Sequence, residues 1–395
     1  MSSFDTIIIG AGAAGLMTAA RAGHNGKTVL LIDHSKNIGE KIRISGGGRC
    51  NFTNIHTSPA NFISTNPHFC KSALSRFTPK DFIALVDKYK IAYHDKGKGQ
   101  LFCDDKATQI VEMLLDECEK SGVKFWTGTF VHDIDKTEDG FEIKTDKGTA
   151  TSSALVIATG GLSIPKIGAT SFGYRIAEQF GHKVVPPRAG LVPLTFTDNI
   201  SKLCADLTGL SVDPSVVSTG KIKFEEALLF THRGLSGPSI LQISSYWQET
   251  KPIHVNLVPH LNALDWLKEK RKTDPKKMLR TVIEELLPNR LANALATLSG
   301  HDGQMANLPD AKLKDVAGIL NNWTLTPAGT EGYRTAEVTL GGVDTTDISS
   351  KDFQSKLVAG LYFVGEVLDV TGHLGGFNFQ WAWSSGFCCG ESLAG

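Results

Sequence analysis

The chain has 395 residues, with 41 lysines and arginines against 41 aspartates and glutamates and 41% hydrophobic residues. That is an ordinary globular composition, enough for two or three domains at roughly 150 residues each. Balanced charge removes any bulk electrostatic case for nucleic acid or an anionic membrane, and no apolar run is long enough to span a bilayer. A small-molecule substrate is therefore expected, with neither nucleic acid nor membrane as partner. The seven cysteines are scattered and form no C-x-x-C. They fit a reducing cytoplasm and argue against structural zinc or a dithiol redox centre, so no metal site is expected. The opening MSSFDTIIIG has no basic region and enters a strand at once, so it does not read as a signal peptide.

In chain order, the apolar run Thr6–Ile9 predicts a buried parallel strand. Gly10, Gly12 and Gly15 follow as G-x-G-x-x-G. The first suits a tight turn, the second a close approach to a pyrophosphate, and the third helix-on-strand packing. A helix over Ala13–Gly23 then directs the N–H groups of Ala13, Ala14 and Gly15 at phosphate. Thr28–Ile32 is the next strand. Asp33 ends it, about 20 residues after the glycines, where an acid can bond a ribose hydroxyl. Strand, turn, helix, strand and acid together predict a dinucleotide-binding unit, without choosing NAD or FAD.

From His34 the sequence runs through HSKNIGEKIRISGGGRCNFTN, which reads as a long functional loop. Lys41, Arg43 and Arg49 are cations. Gly46, Gly47 and Gly48 expose backbone N–H groups toward an anion or a flat ring, with Cys50 and Asn51 beside them. Such a loop suits FAD, whose length needs cover along pyrophosphate, ribityl chain and ring. After it, Phe125–Ile157 predicts a strand, a hairpin and two further strands, the last ending at Ala158, Thr159 and Gly160. In two-dinucleotide-fold flavoproteins a strand ending in A-T-G brings backbone close to FAD.

The dinucleotide pattern stops near Gly190 and resumes near Lys356. Residues 191–258 and 323–334 read as an antiparallel β domain, plausibly a small barrel, and 259–322 turns helical at three-four spacing. Residues 1–190 and 335–395 would form the FAD-binding domain. The basic run Lys268–Lys277 has acids interspersed and reads as a solvated face. In THRGLSGP, His232 and Arg233 are candidates to bind an anion or donate a proton. Gly341 and Gly342 in AEVTLGGVD either line the same crevice or turn the chain. The last segment, LYFVGEVLDVTGHLGGFNFQWAWSSG, predicts a strand turning at Gly365, with Glu366 and Asp369 as acids near the phosphate and ribityl region. A helix opening at about Gly376, with Phe377, Asn378 and Phe379 in its first turn, would stabilise negative charge on a reduced flavin ring. His373 is a third catalytic candidate. Cys388 and Cys389 read as core.

GAGAAGLMTAARAG with GEKIRISGGGRCNFTN, LLFTHRGLSGPSILQIS and the last segment resembles the BaiN/RdsA family of FAD-dependent oxidoreductases, the YhiN-like flavoproteins, over essentially the whole chain. The resemblance implies an α/β fold: a Rossmann-like FAD-binding domain of the two-dinucleotide-binding type, with an inserted β-barrel-like domain that itself carries a helical bundle. It implies FAD as cofactor, a backbone contact from Val131 to adenine, and NAD(P)H as a conceivable transient co-substrate. Close relatives in the family pattern often carry a large aromatic where this chain has His373. The activity expected is hydride transfer between FAD and an unidentified organic substrate. A flavin-dependent RNA-modifying enzyme and a non-enzymatic flavin sensor are the alternatives, and neutral charge counts against the first.

Overall fold

The computed structural model describes residues 2–393. The chain divides into two compact units, Met1–Arg188 with Val338–Gly395, and Ala189–Glu337.

The first unit is built on strands β1 (Ser2–Ile9), β2 (Val29–Ile32), β3 (Lys124–Trp126), β4 (Val131–Lys136), β5 (Phe141–Thr145), β6 (Gly148–Ile157) and β7 (Leu361–Phe363), and on helices α1 (Ala13–His24) and α2 (Phe377–Ser392). Strands β3, β2, β1, β6 and β7 lie side by side and parallel, with Ile7 opposite both Leu30 and Leu155, and Ile157 opposite Phe363. The first half of β6 instead pairs antiparallel with β5, which pairs with β4. The central strands are buried on both faces, which is why they read as unbroken Ile, Leu and Val rather than alternating. Helix α2 lies against α1 through small residues. A Cβ at Gly386 would stand 2.6 Å from Ala14 O, and one at Gly390 would stand 2.7 Å from Arg21 Cβ. The other side of α2 carries aromatics: Trp383 stacks on Phe82 with centroids 4.5 Å apart, and its Nε1–H donates to Phe52 O at 2.8 Å.

The stretch expected as a long loop is largely ordered structure. It forms a helical turn over Glu40–Ile44, a tight turn over Ser45–Gly48 and a strand over Asn51–Asn54. That strand pairs with Gln100–Cys103, which pairs with Tyr93–Asp95. Its partner is some fifty residues away, and elements this short leave no periodicity to read.

The second unit holds a seven-stranded antiparallel sheet whose edge strands, Trp323–Leu325 and Gly329–Thr330, are not paired with each other. Helices Ala263–Thr273, Leu279–Ile283, Asn289–Leu298 and Asp310–Asn322 follow the strand Ile253–Asn256. Within Lys268–Lys277 most of the cations are met by acids. Arg271 pairs with Asp310 at 2.6 Å, Lys277 with both Asp274 and Glu285 at 3.0 Å, and Lys270 also with Glu285. Among the described residues no helix is long and apolar enough to cross a membrane.

Candidate functional site

The glycine turn sits where β1 ends. Gly10 N–H donates to Ile32 O at 2.8 Å, and Ala158 N–H donates to Ile9 O at 2.8 Å, so the ends of three parallel strands converge there. Gly15 is required by close approach: a Cβ on it would lie 1.8 Å from Gly10 O. At Gly12 the opposite holds. A Cβ there would meet nothing within 4 Å, and Gly12 caps α1 with no side-chain hydrogen bond. Space therefore lies in front of the first-turn N–H groups of α1, including those of Ala13 and Ala14. Asp33 ties the turn together, its Oδ2 accepting from Ala11 N–H at 2.6 Å and its Oδ1 from Ser35 N–H at 2.8 Å. His34 is partly exposed, its ring 5.7 Å from that of Phe130.

Beside this turn, Thr159 Oγ1 is buried without a hydrogen-bond partner. Gly160 adopts φ +69° in open space. Gly365 N–H donates to Ser385 Oγ at 3.1 Å, and Trp381 Nε1–H donates to Gly365 O at 3.1 Å. Lys41 Nζ lies 2.6 Å from Glu366 Oε2 and 2.8 Å from Ser163 Oγ. Glu366 Oε1 accepts from Thr339 N–H at 2.8 Å, and Thr339 Oγ1 accepts from Leu162 N–H at 2.7 Å. Lys41, read as a cation for a ligand anion, is thus first the partner of Glu366. Asp369 is buried and holds Thr65 through its N–H (2.8 Å) and Oγ1 (2.6 Å).

The three consecutive glycines have a backbone reason. Gly46, Gly47 and Gly48 all have positive φ, at +56°, +68° and +84°, which a run of side-chain-bearing residues adopts only at a cost of roughly 1–2 kcal/mol each. A Cβ on Gly47 or Gly48 would point into open space, whereas one on Gly46 would strike Phe102 Cε1 at 2.8 Å. Arg49 is exposed. Cys50 is fully buried, and burial pushes its thiol far above the usual range, so it is a packing residue rather than a reactive one. The Asn51 amide donates to Thr53 O and accepts from Gly376 N–H, both at 3.3 Å. Gly376 has φ +93° and caps α2. Asn378 Nδ2–H donates to Gly372 O at 2.9 Å, and Phe379 stacks on Trp383 with centroids 5.5 Å apart. Phe377 sets its ring edge-on to Phe62.

The structure brings together the Gly10–Gly15 turn, Asp33, Ala158–Gly160, Lys41 and Gly365–Glu366, and separately joins Gly46–Asn51 to Gly376–Phe379 through Thr53 and Asn51. Val131 begins β4, packed on the core of the unit. His373 is mostly buried, and burial lowers its pKa to about 4, leaving it neutral at pH 7. His232 and Arg233 belong to the second unit, where they form an exposed turn between strands Ile222–Thr231 and Gly234–Ser236. Sequence reading missed Thr339, Thr53, Gln100 and Ser385, whose roles are set by residues distant along the chain. Thr53, Thr339 and Ser385 stood in stretches already noticed, but for the glycines, acids and aromatics beside them. All seven cysteines are free and buried, and among the described residues no cluster can hold a metal.

A dinucleotide fits these features. The uncapped α1 end and the open space at Gly12 suit a pyrophosphate. Residues 4–392 match the HI0933-like protein Rossmann domain family. The chain is 51% identical over its whole length to the ribosomal RNA dihydrouridine synthase of Escherichia coli (strain K12), covering 98% of that protein. It is 28% identical over 98% of its length to the 3-dehydro-bile acid delta(4,6)-reductase of Clostridium scindens, again covering 98% of that protein. Among solved structures, the 3-ketosteroid-delta4-(5alpha)-dehydrogenase of Rhodococcus jostii RHA1 aligns with TM-score 0.53 at 13% identity, over 100% of this chain and 97% of that one. The expectation that nucleic acid is excluded is overturned by the first relative, whose name gives it an RNA substrate. Net charge is a whole-chain average, and it does not report the local contacts that bind phosphate. The chain belongs to the HI0933-like Rossmann family, with the fold of the FAD-dependent oxidoreductases.

Proposed function

We propose that the protein is an FAD-dependent reductase that converts uridine to dihydrouridine in ribosomal RNA. The observation that carries this reading is 51% identity, end to end, to a ribosomal RNA dihydrouridine synthase. The Gly10–Gly15 turn and the first turn of α1 would hold the pyrophosphate. Asp33 retains acceptor capacity for a ribose hydroxyl beyond the two N–H groups it holds. Val131 would give adenine its backbone contact. Gly46–Gly48 and the Gly376 end of α2 would flank the ring, where the helix terminus favours negative charge. The Lys41–Glu366 pair ties the helical turn before those glycines to the backbone of Thr339. FAD, when bound, supplies a two-electron centre that delivers hydride. The reaction saturates the uracil C5=C6 bond, conjugated to the C4 carbonyl: hydride forms the C6–H bond and a proton forms the C5–H bond. His373, neutral at pH 7, is a poor source of that proton. NADPH or NADH is the donor this reading tests first. An rRNA substrate goes with a cytoplasmic location, as do the free cysteines.

Reduction of a 3-dehydro-bile acid is the second reading, favoured by the 28% relative. It requires the same chemistry, hydride addition to a double bond conjugated to a carbonyl. The test is to incubate the holoprotein and each nicotinamide with rRNA from a strain lacking its own rRNA dihydrouridine synthase, then analyse nucleosides by mass spectrometry. Dihydrouridine is the expected product. Its absence, with turnover of the bile-acid dienone, would establish the second reading instead.

A further inference from the structure

We propose that Phe130, with His34 beside it, is the stacking platform for the adenine of FAD and selects FAD over FMN; this rests on the FAD site above and not on which substrate is reduced. A dinucleotide with its pyrophosphate at the first turn of α1 and a ribose hydroxyl at Asp33 carries its base past Asp33, along the carboxyl ends of the parallel strands. His34 is the residue after Asp33. The strand beside β2 is β3, which leads through residues 127–129 to Phe130.

The backbone locks these two segments together. Asp33 N–H donates to Trp126 O at 3.0 Å, Thr129 N–H to Asp33 O at 3.0 Å and Gly128 N–H to Ser35 O at 2.9 Å. Phe130 is then pinned by Asp146, whose Oδ2 accepts from Phe130 N–H at 3.0 Å and whose N–H donates to Phe130 O at 3.2 Å. The Phe130 and His34 rings stand 5.7 Å apart between centroids, tilted by 41°. Gly168, in the segment that follows β6, also borders His34: a Cβ there would lie 2.9 Å from His34 Nε2. His34 thus stands where the segments following β2, β3 and β6 meet.

Single exposed apolar residues are ordinary, and this one is distinguished by where it stands. Phe130 is 56% exposed, more than any other large hydrophobic among the described residues, yet its backbone is held on both sides and it lies at the edge of the dinucleotide site. A fixed aromatic face open to solvent suits a flat, uncharged ring. Val131, expected to meet adenine through its backbone, is the next residue in the chain. FMN ends at its phosphate and has no base to place here. The platform therefore adds affinity only for ligands that carry adenosine, which makes Phe130 a specificity residue of the cofactor site.

The test titrates full-length apoprotein of wild type, Phe130→Ala and Phe130→Trp with FAD and FMN by flavin fluorescence, and with ADP by calorimetry. Base stacking lost to alanine should weaken FAD and ADP roughly 5- to 150-fold and leave FMN unchanged. Phe130→Trp keeps an aromatic face and should hold FAD and ADP as wild type does. Apoprotein melting should be the same in all three, because the ring is exposed. His34→Ala repeats the comparison from the neighbouring ring should Phe130→Ala fold poorly. Wild-type affinity for FAD and ADP in Phe130→Ala, or an equal loss for FMN, would overturn the platform and leave the FAD site standing. A wild-type apoprotein that binds neither FAD nor ADP would overturn both.

Discussion

Alanine at position 12 and alanine at position 15 test the glycine turn with opposite expected outcomes. At Gly15 the new Cβ would stand 1.8 Å from Gly10 O, a backbone atom that cannot rotate aside. Helix α1 must then move off the strand, and overpacking of this kind costs about 3 kcal/mol, the upper part of its usual range. For a unit of this size that lowers Tm by roughly 6–12 °C, with or without flavin. At Gly12 the backbone (φ −86°, ψ −166°) suits any residue, and a Cβ meets no protein atom within 4 Å. Apoprotein stability should change by no more than about 0.5 kcal/mol. The methyl would occupy the space in front of the α1 N–H groups and cost one charge-assisted hydrogen bond to the pyrophosphate, about 1.5–3 kcal/mol or roughly 10- to 150-fold in Kd. Thermal melts of the two apoproteins, with fluorescence titration by FAD, separate the cases. Wild-type FAD affinity in Gly12→Ala would mean that the pyrophosphate lies elsewhere, and a Gly12→Ala apoprotein as unstable as Gly15→Ala would mean that the space is not there.

Lys41→Met should destabilise the apoprotein by about 1–3 kcal/mol in urea melts, because it strands the mostly buried Glu366 carboxylate; adding Glu366→Gln should recover part of that loss. Burial alone would raise the pKa of Glu117, but hydrogen bonds from Lys88, Tyr89 and His24 outweigh it and hold the pKa at about 2, below the usual 4.5. Its stabilisation is complete above pH 4.5 and lost as pH falls toward 2, so Glu117→Gln should flatten acid unfolding across that window, where wild type loses on the order of 3 kcal/mol. His373 is held neutral by burial, with its pKa near 4 rather than 6.5. The unfolded chain binds the extra proton between those values, so stability falls as pH drops from 6.5 to 4, and His373→Phe should remove that slope in denaturant titrations.

The Rossmann unit was legible because its signals are local. Strand, glycine turn, helix, second strand and Asp33 fall within 33 residues, and each spacing has one geometric reason. Contacts made across the chain carried no such signal. Lys41 meets Glu366 from 325 residues away, so it read as a cation awaiting a ligand. Asp33 was expected to face a ribose; nothing in its spacing revealed that it also holds Ala11 N–H. Cys50 stood among loop donors in the sequence, yet its backbone turns it into the core at φ +52°. The segment Glu40–Asn54 read as a loop because its strand acquires a partner only when Gln100–Cys103 folds back on it.

Charge balance failed as a guide to partners for a physical reason. A uracil and a bile-acid dienone present the same reacting group, a carbon–carbon double bond conjugated to a carbonyl. On the function proposed above, one flavin site could serve either, and relatives of this chain are named for both substrates. Discrimination must then come from groups outside the hydride path. For RNA those groups need only a few phosphates, since each contact adds its own salt-dependent increment whatever the net charge of the chain. A neutral protein can therefore select a polyanion, provided its cations stand where the substrate passes and are not consumed by its own acids, as Lys270, Arg271 and Lys277 are.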